Sequence, residues 1–293
     1  MEIELWIPIT IAAAFLQNVR SLLQKRLTGE LSVNGASYVR FCYALPFAWS
    51  YVLLLGSRGF LPVPNVEFFA YCLVGGMGQI IGTACLVASF TRRNFAVGTA
   101  FSKTEVAQTA LIGLVVLGDE VSIAVMSGIV VSLVGVVLLA SRFGASEVRH
   151  LDRTMRLGLA AGAGFAVAAV SFRGAALSLP EGDFLIRAAL ALAVSVSLQT
   201  FIMGAYLIAR EPGELTRVVH AWPTAVWVGL VGMVASAGWF SAMTLENAAR
   251  VRALGQVELL FTFATSIWFF KEVVGRREVI GVLLIVLGIY LLL

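Results

Sequence analysis

The chain has 293 residues, of which 59% are hydrophobic and only 13% charged, with a mean hydropathy of +0.92. Soluble domains carry about 25% charged residues, so this composition, with repeated apolar runs of about 20 residues, places the chain in lipid and excludes a separate soluble domain. The net charge of +4 implies no nucleic-acid partner, because Lys and Arg fall singly and in pairs between the apolar runs, where membrane topology accounts for them.

The first nineteen residues hold no Lys or Arg, and the opening apolar run leads into Gln17, Asn18 and Arg20. A retained helix near 4–25 is therefore expected instead of a cleaved signal. Runs bounded by charges, Gly, Pro or Asn predict further helices near 34–56, 66–89, 95–117 and 121–141. The longest hydrophilic connection, 142–154, separates these five from a second set near 155–178, 184–208, 223–245, 251–270 and 276–293. Cys42, Cys72 and Cys85 fall within predicted helices without metal-ligand spacing and read as small apolar packing residues. No metal site or cofactor is expected.

The two sets echo one another. A shift of 153 positions superimposes Arg20 on Arg173, Asn94 on Asn247, Ala100 on Ala253 and Glu105 on Glu258, and pairs Gly128 with Gly281 and Gly135 with Gly288. With small loop changes Arg40 matches Arg187 and Glu120 matches Glu272. Polar residues are rare inside lipid, so these coincidences predict a duplication: residues 1–141 as one five-helix repeat, 142–154 as a connector, 155–293 as the second repeat. Five is odd, so the second copy enters the membrane inverted.

Alternate connections differ in charge. One set holds thirteen basic residues, among them Lys25, Arg26, Arg92, Arg93, Arg142, Arg210, Arg217 and Lys271; the other holds only Arg58, Arg250 and Arg252. The basic set is expected to be cytoplasmic and both termini outside. Cytoplasmic labelling of a cysteine at residue 2 tests this.

Several predicted spans carry polar faces. Gln17, Arg20, Ser21 and Gln24 form a stripe on the first helix, which should not face lipid. Gly75, Gly78, Gln79 and Gly82 share a face of the third, suited first to close packing and second to a ligand. Glu105 lies near the middle of the fourth helix, with Lys103 on another face, and Gln256 and Glu258 occupy the ninth. A charge at the bilayer centre costs about 2.5–3.5 kcal/mol on insertion scales, so both glutamates need partners, protonation or water. Arg40 and Arg187 are the expected partners, either as fixed ion pairs or as part of a cavity lining that binds substrate or protons. The surplus of basic residues within the spans favours an anionic or zwitterionic ligand over a cation. In the eighth helix Gly229, Gly232, Ser236, Trp239 and Met243 share a face suited to an apolar moiety or to core packing.

This pattern resembles the drug/metabolite transporter superfamily, specifically its EamA-type members. The residues that carry the resemblance are Lys-Thr-Glu at 103–105, Gly-Asp-Glu at 118–120 and glycines 128 and 135, echoed by Gln-Val-Glu at 256–258, Lys-Glu at 271–272 and glycines 281 and 288. The resemblance implies an all-α integral membrane fold of ten transmembrane helices, two inverted five-helix repeats around a central cavity, working by alternating access, and it implies export. The expected function is secondary transport of a small polar metabolite, such as an amino acid or related carboxylate, across a bacterial-type inner membrane. Its substrate-binding or gating residues are expected to be Gln17, Arg20, Arg40, Gln79, Lys103, Glu105, Trp239, Gln256 and Glu258. Efflux of organic cations coupled to protons through Glu105 and Glu258 is the alternative, and a membrane scaffold or receptor the non-transport one. An enzyme is not expected: the only histidines, His150 and His220, fall in predicted loops, and there is no HExxH, GxSxG or phosphate loop.

Overall fold

A computed structural model describes residues 4–27, 29–57, 59–89, 101–120, 122–140, 151–261 and 276–292. Asn94, Lys271, Glu272 and the predicted helical segments 95–100 and 262–270 lie outside these residues. Among the described residues every regular element is a helix: α1 (Trp6–Leu27), α2 (Val33–Cys42), α3 (Leu45–Gly56), α4 (Val66–Ser89), α5 (Glu105–Leu117), α6 (Ile123–Ala140), α7 (Leu151–Ser178), α8 (Phe184–Arg210), α9 (Glu214–His220), α10 (Trp222–Leu245), α11 (Ala248–Leu254) and α12 (Arg276–Leu292). Six segments are long and apolar enough to cross a membrane, namely Trp6–Gln24, Val33–Gly56, Val66–Leu86, Met155–Ser178, Phe184–Arg210 and Trp222–Leu245; Glu105–Leu117, Ile123–Leu138 and Val279–Leu291 are shorter apolar helices. The chain is a multi-pass integral membrane protein.

Local chemistry sets the helix ends. Ser32, Asn65 and Asp183 accept from the backbone N–H three residues on at 3.0, 2.7 and 3.0 Å, capping α2, α4 and α8. The second predicted helix is interrupted at Tyr43–Ala44, because Pro46 in the first turn of α3 has no N–H to offer Cys42 and its ring crowds the turn before it. At the end of α5, Gly118 takes φ +68°, letting the Asp119 N–H close back on the Gly113 carbonyl at 3.2 Å.

The chain divides into two compact units, each drawing on both halves of the sequence. The first comprises Met1–Gly76 and Ser171–Leu245. Here α1 packs antiparallel on α10, with Ala13 against Gly238 and the Arg20 stem against Gly232. Leu27, Leu31 and Val39 pack with Val218, Ala225 and Val228, joining α2 to α9 and α10. The α2 N-terminus is tied to the start of α9: the Ser32 N–H donates to Glu214 at 2.6 Å, and Ser32 Oγ and Asn34 Nδ2 donate to Glu211 at 2.5 and 2.6 Å. These hydrogen bonds, Asn34 first, hold the Glu211 carboxyl below its ordinary range.

The second unit comprises Met77–Val170 and Glu246–Leu293. Within it α6 packs closely on α12. A Cβ added at Gly135 would lie 2.6 Å from the Gly281 carbonyl oxygen, and one at Gly288 would lie 2.7 Å from that of Gly128. The lower glycine of each helix meets the higher one of the other, so the pair runs antiparallel, with seven-residue spacing on both sides. Lipid gives apolar helices no hydrophobic drive to associate, so such backbone approach supplies the packing energy instead. Val106 and Ala110 of α5 meet Ala249 and Ala253 of α11, with Val125 and Ile129 of α6 completing the cluster.

Candidate functional site

The fourth predicted helix is broken where its polar residues lie. Residues 101–102 are helical, Lys103 and Thr104 form a turn, and α5 begins at Glu105. Thr104 Oγ1 donates to the Phe101 carbonyl at 2.6 Å and accepts from Gln108 Nε2 at 2.9 Å, closing the turn. Helix α7 comes close at Gly162, where a Cβ would lie 3.0 Å from the Ser102 carbonyl oxygen and 3.1 Å from the Glu105 nitrogen. The ninth predicted helix breaks likewise: α11 ends at Leu254, Gly255 and Gln256 form a turn, and residues 257–261 are helical again. Under the 153-residue shift Lys103 corresponds to Gln256 and Glu105 to Glu258, so the two breaks fall at equivalent places. Each glutamate sits in the first turn of a helical segment, where the backbone N–H groups favour a negative charge.

Two ion pairs join these breaks. Lys103 Nζ donates to Glu258 Oε1, the side chains being 18% and 17% exposed. Arg252 Nε lies 3.0 Å from Glu105 Oε1, with 16% and 13% exposure, as a charge contact and not a directed hydrogen bond. Gln256 is 2% exposed, and neither its amide oxygen nor its nitrogen has a hydrogen-bond partner among the described residues.

This pairing corrects the expected one. Arg40 and Arg187 fall in the first unit, whereas both glutamates fall in the second. The partner that sequence reasoning missed is Arg252, which was counted in a loop and instead lies in α11; Arg250 lies there too, bound to Glu246 at 2.9 Å. A signal was available, since Arg252 precedes Gln256 by four residues, one turn of a helix.

The remaining candidates are distributed between the units. Gln79, in the second, is half-buried and has Gly78 and Gly82 beside it packing on Gly164 and Phe165 of α7, so this face serves close packing. In the first unit Arg20 and Trp239 are buried and Gln17 and Arg40 half-buried, with the Arg40 guanidinium 4.8 Å from the Phe41 ring centre. The stripe on α1 is narrower than expected: Ser21 is exposed and its hydroxyl donates to the Gln17 carbonyl of its own helix at 2.8 Å. The α10 face at Gly229 and Gly232 packs against Tyr43 and Arg20.

Residues 155–293 match the EamA-like transporter family. The similarity covers the second of the two predicted repeats. EamA-like proteins are membrane transporters of small molecules and not enzymes. The EamA-like region holds α11, Arg252, Gln256 and Glu258, which places half of each ion pair inside the matched segment. A solved structure, described only as that of a protein, aligns with 98% of this chain and 94% of its own at a TM-score of 0.75 and 15% identity, a likeness of fold alone. No curated protein matches the chain in sequence.

Proposed function

We propose that the chain is a secondary transporter that moves a small polar metabolite, such as an amino acid or related carboxylate, across a bacterial-type inner membrane by alternating access. The observation that carries this reading is the pair of ion pairs, Lys103 with Glu258 and Glu105 with Arg252, at equivalent breaks of two membrane helices. A stable scaffold needs no broken helices and no charges within its spans, where each costs about 2.5–3.5 kcal/mol. Gln256, Gln79, Gln17, Arg20, Arg40 and Trp239 are proposed to line the path with them.

Two inverted repeats, 1–141 and 155–293 around a central cavity, belong to the same proposal. The α6–α12 contact supports it, since Gly128 meets the counterpart of Gly135 and Gly135 meets the counterpart of Gly128, the exchange that a two-fold relation between repeats produces. Export as the direction rests on the resemblance.

Exchange of labelled amino acids by proteoliposomes tests the function. Uptake above that of empty vesicles is expected, reduced in Glu258→Gln, and its absence with every amino acid sinks the substrate class. Imposing a pH gradient on the same vesicles tests coupling: flux that ignores the gradient excludes proton coupling through Glu105 or Glu258.

A further inference from the structure

Arg210 is the last residue of the span Phe184–Arg210 and Trp222 the first of the span Trp222–Leu245, so the short α9 between them lies where the chain leaves and re-enters lipid. Gly213, at φ +86°, turns the chain out of α8. Helical spacing puts Glu214 and Val218 on the inner side of α9, Leu215 and Val219 on one flank, and Arg217 and His220 on the other. A lipid standing beside α9 meets the basic flank with its headgroup and the apolar flank with its chains. We propose that this corner of the first unit binds an anionic phospholipid, with its phosphate on Arg210 and Arg217 and its acyl chains against Val219 and Trp222. The proposal holds whatever solute the chain carries.

Charge is sorted at this corner. The Glu211 carboxylate accepts from Ser32 Oγ and Asn34 Nδ2, and the buried Glu214 accepts the Ser32 N–H, so both acids are drawn toward the N-terminus of α2, whose backbone N–H groups favour them. Arg210 is exposed, and Arg217, although its Nη1 lies 3.4 Å from Glu214, keeps 62% of its side chain exposed. A guanidinium carries five N–H donors in one plane, enough to meet a carboxylate on one edge and a phosphodiester on another. Leu27 of α1 packs with Val218, and near that end of α1 Arg26 and Glu30 are both exposed and opposite in charge, so they add no net attraction. Val219 and Trp222 are 64% and 61% exposed. A tryptophan exposed at the end of a span sits at the level of the headgroups, beside the phosphate that the arginines would hold.

The test uses the full chain purified in an uncharged detergent, with lipids brominated in the acyl chains, which quench tryptophan on contact. The signal of Trp222 is the difference between the wild type and Trp222→Phe. Brominated phosphatidylglycerol should quench it at a concentration at least about tenfold below that needed for brominated phosphatidylcholine. Arg210→Gln and Arg217→Gln should each cut that preference about fivefold, the loss expected for one basic residue at an anionic surface, and raising the salt to about 1 M should shrink it likewise. Excess inorganic phosphate should leave the quenching unchanged. Should Arg217→Gln not fold, because Glu214 loses a neighbour, Arg210→Gln and the salt series decide. The proposal is overturned if phosphatidylcholine quenches Trp222 as well as phosphatidylglycerol does, if folded variants keep the wild-type preference, or if inorganic phosphate displaces the lipid, which would mark a site for free phosphate instead.

Discussion

The two units answer buried charge differently. In the first, charged groups are held by backbone or by fixed neighbours: Arg173 Nη1 donates to the Met243 carbonyl at 2.6 Å, and Glu214, 2% exposed, accepts the Ser32 N–H and lies 3.4 Å from Arg217. In the second, the charges at the helix breaks face opposite side chains. A carbonyl inside a helix cannot leave its place, whereas a lysine side chain can turn to another partner. The difference lies in what each partner is fixed to: backbone in the first unit, a side chain in the second.

The largest effect should come from the second unit. Lys103→Met takes the lysine from the mostly buried Glu258 and should lower stability by up to about 3–5 kcal/mol; adding Glu258→Leu should recover most of that without recovering exchange, as read from the unfolding midpoint and flux together. If the double variant transports, the pair is structural and the contrast collapses. In the first unit Arg173→Met removes one charge-assisted hydrogen bond and should cost about 1.5–3 kcal/mol, with substrate preference unchanged. A changed preference would place Arg173 with the exchanging charges.

Gly135→Ala probes packing alone. Its Cβ would meet backbone at 2.6 and 2.9 Å, so a loss of about 1–3 kcal/mol in thermal unfolding is expected, of the size seen for overpacked cores, with selectivity intact. The smallest effect concerns pH. Glu211 lies beyond the end of α8 and has its pKa lowered from 4.5, chiefly by Asn34 and then Ser32. Its contribution is therefore present above pH 4.5 and lost as pH falls through the lowered value. Glu211→Gln should flatten that acid limb of stability slightly; an unchanged limb would remove the latch between α2 and α9 from the list of architectural contacts.

Much of the helical layout was legible, because apolar runs bounded by Pro, Gly and charge mark spans directly. The predicted segment 66–89 coincides with α4, and 184–208 falls two residues short of α8. The breaks were not read. Pro46 announces the first, but Thr104 and Gln256 carry no comparable signal, since both are tolerated in helices and only a local switch to three-residue backbone hydrogen bonds marks these turns. The charge partners were misassigned for a different reason. Matching Arg40 to Glu105 assumed that residues of one half pair with each other, whereas Lys103 reaches Glu258 and Arg252 reaches Glu105, each across about 150 positions of sequence. Similarity between halves reveals which residues are equivalent and is silent about which ones touch.

The glycine contact of α6 and α12 also constrains how the gene can change. At Gly135 the obstacle to a side chain includes the Gly281 carbonyl, and at Gly288 the obstacle is both Ser132 Oγ and the Gly128 carbonyl. Trimming Ser132 to glycine would clear the hydroxyl but leave the carbonyl in place. A selection for second-site suppressors of Gly288→Ala should therefore return true revertants or distant substitutions that move a whole helix, and no compensating exchange at Ser132.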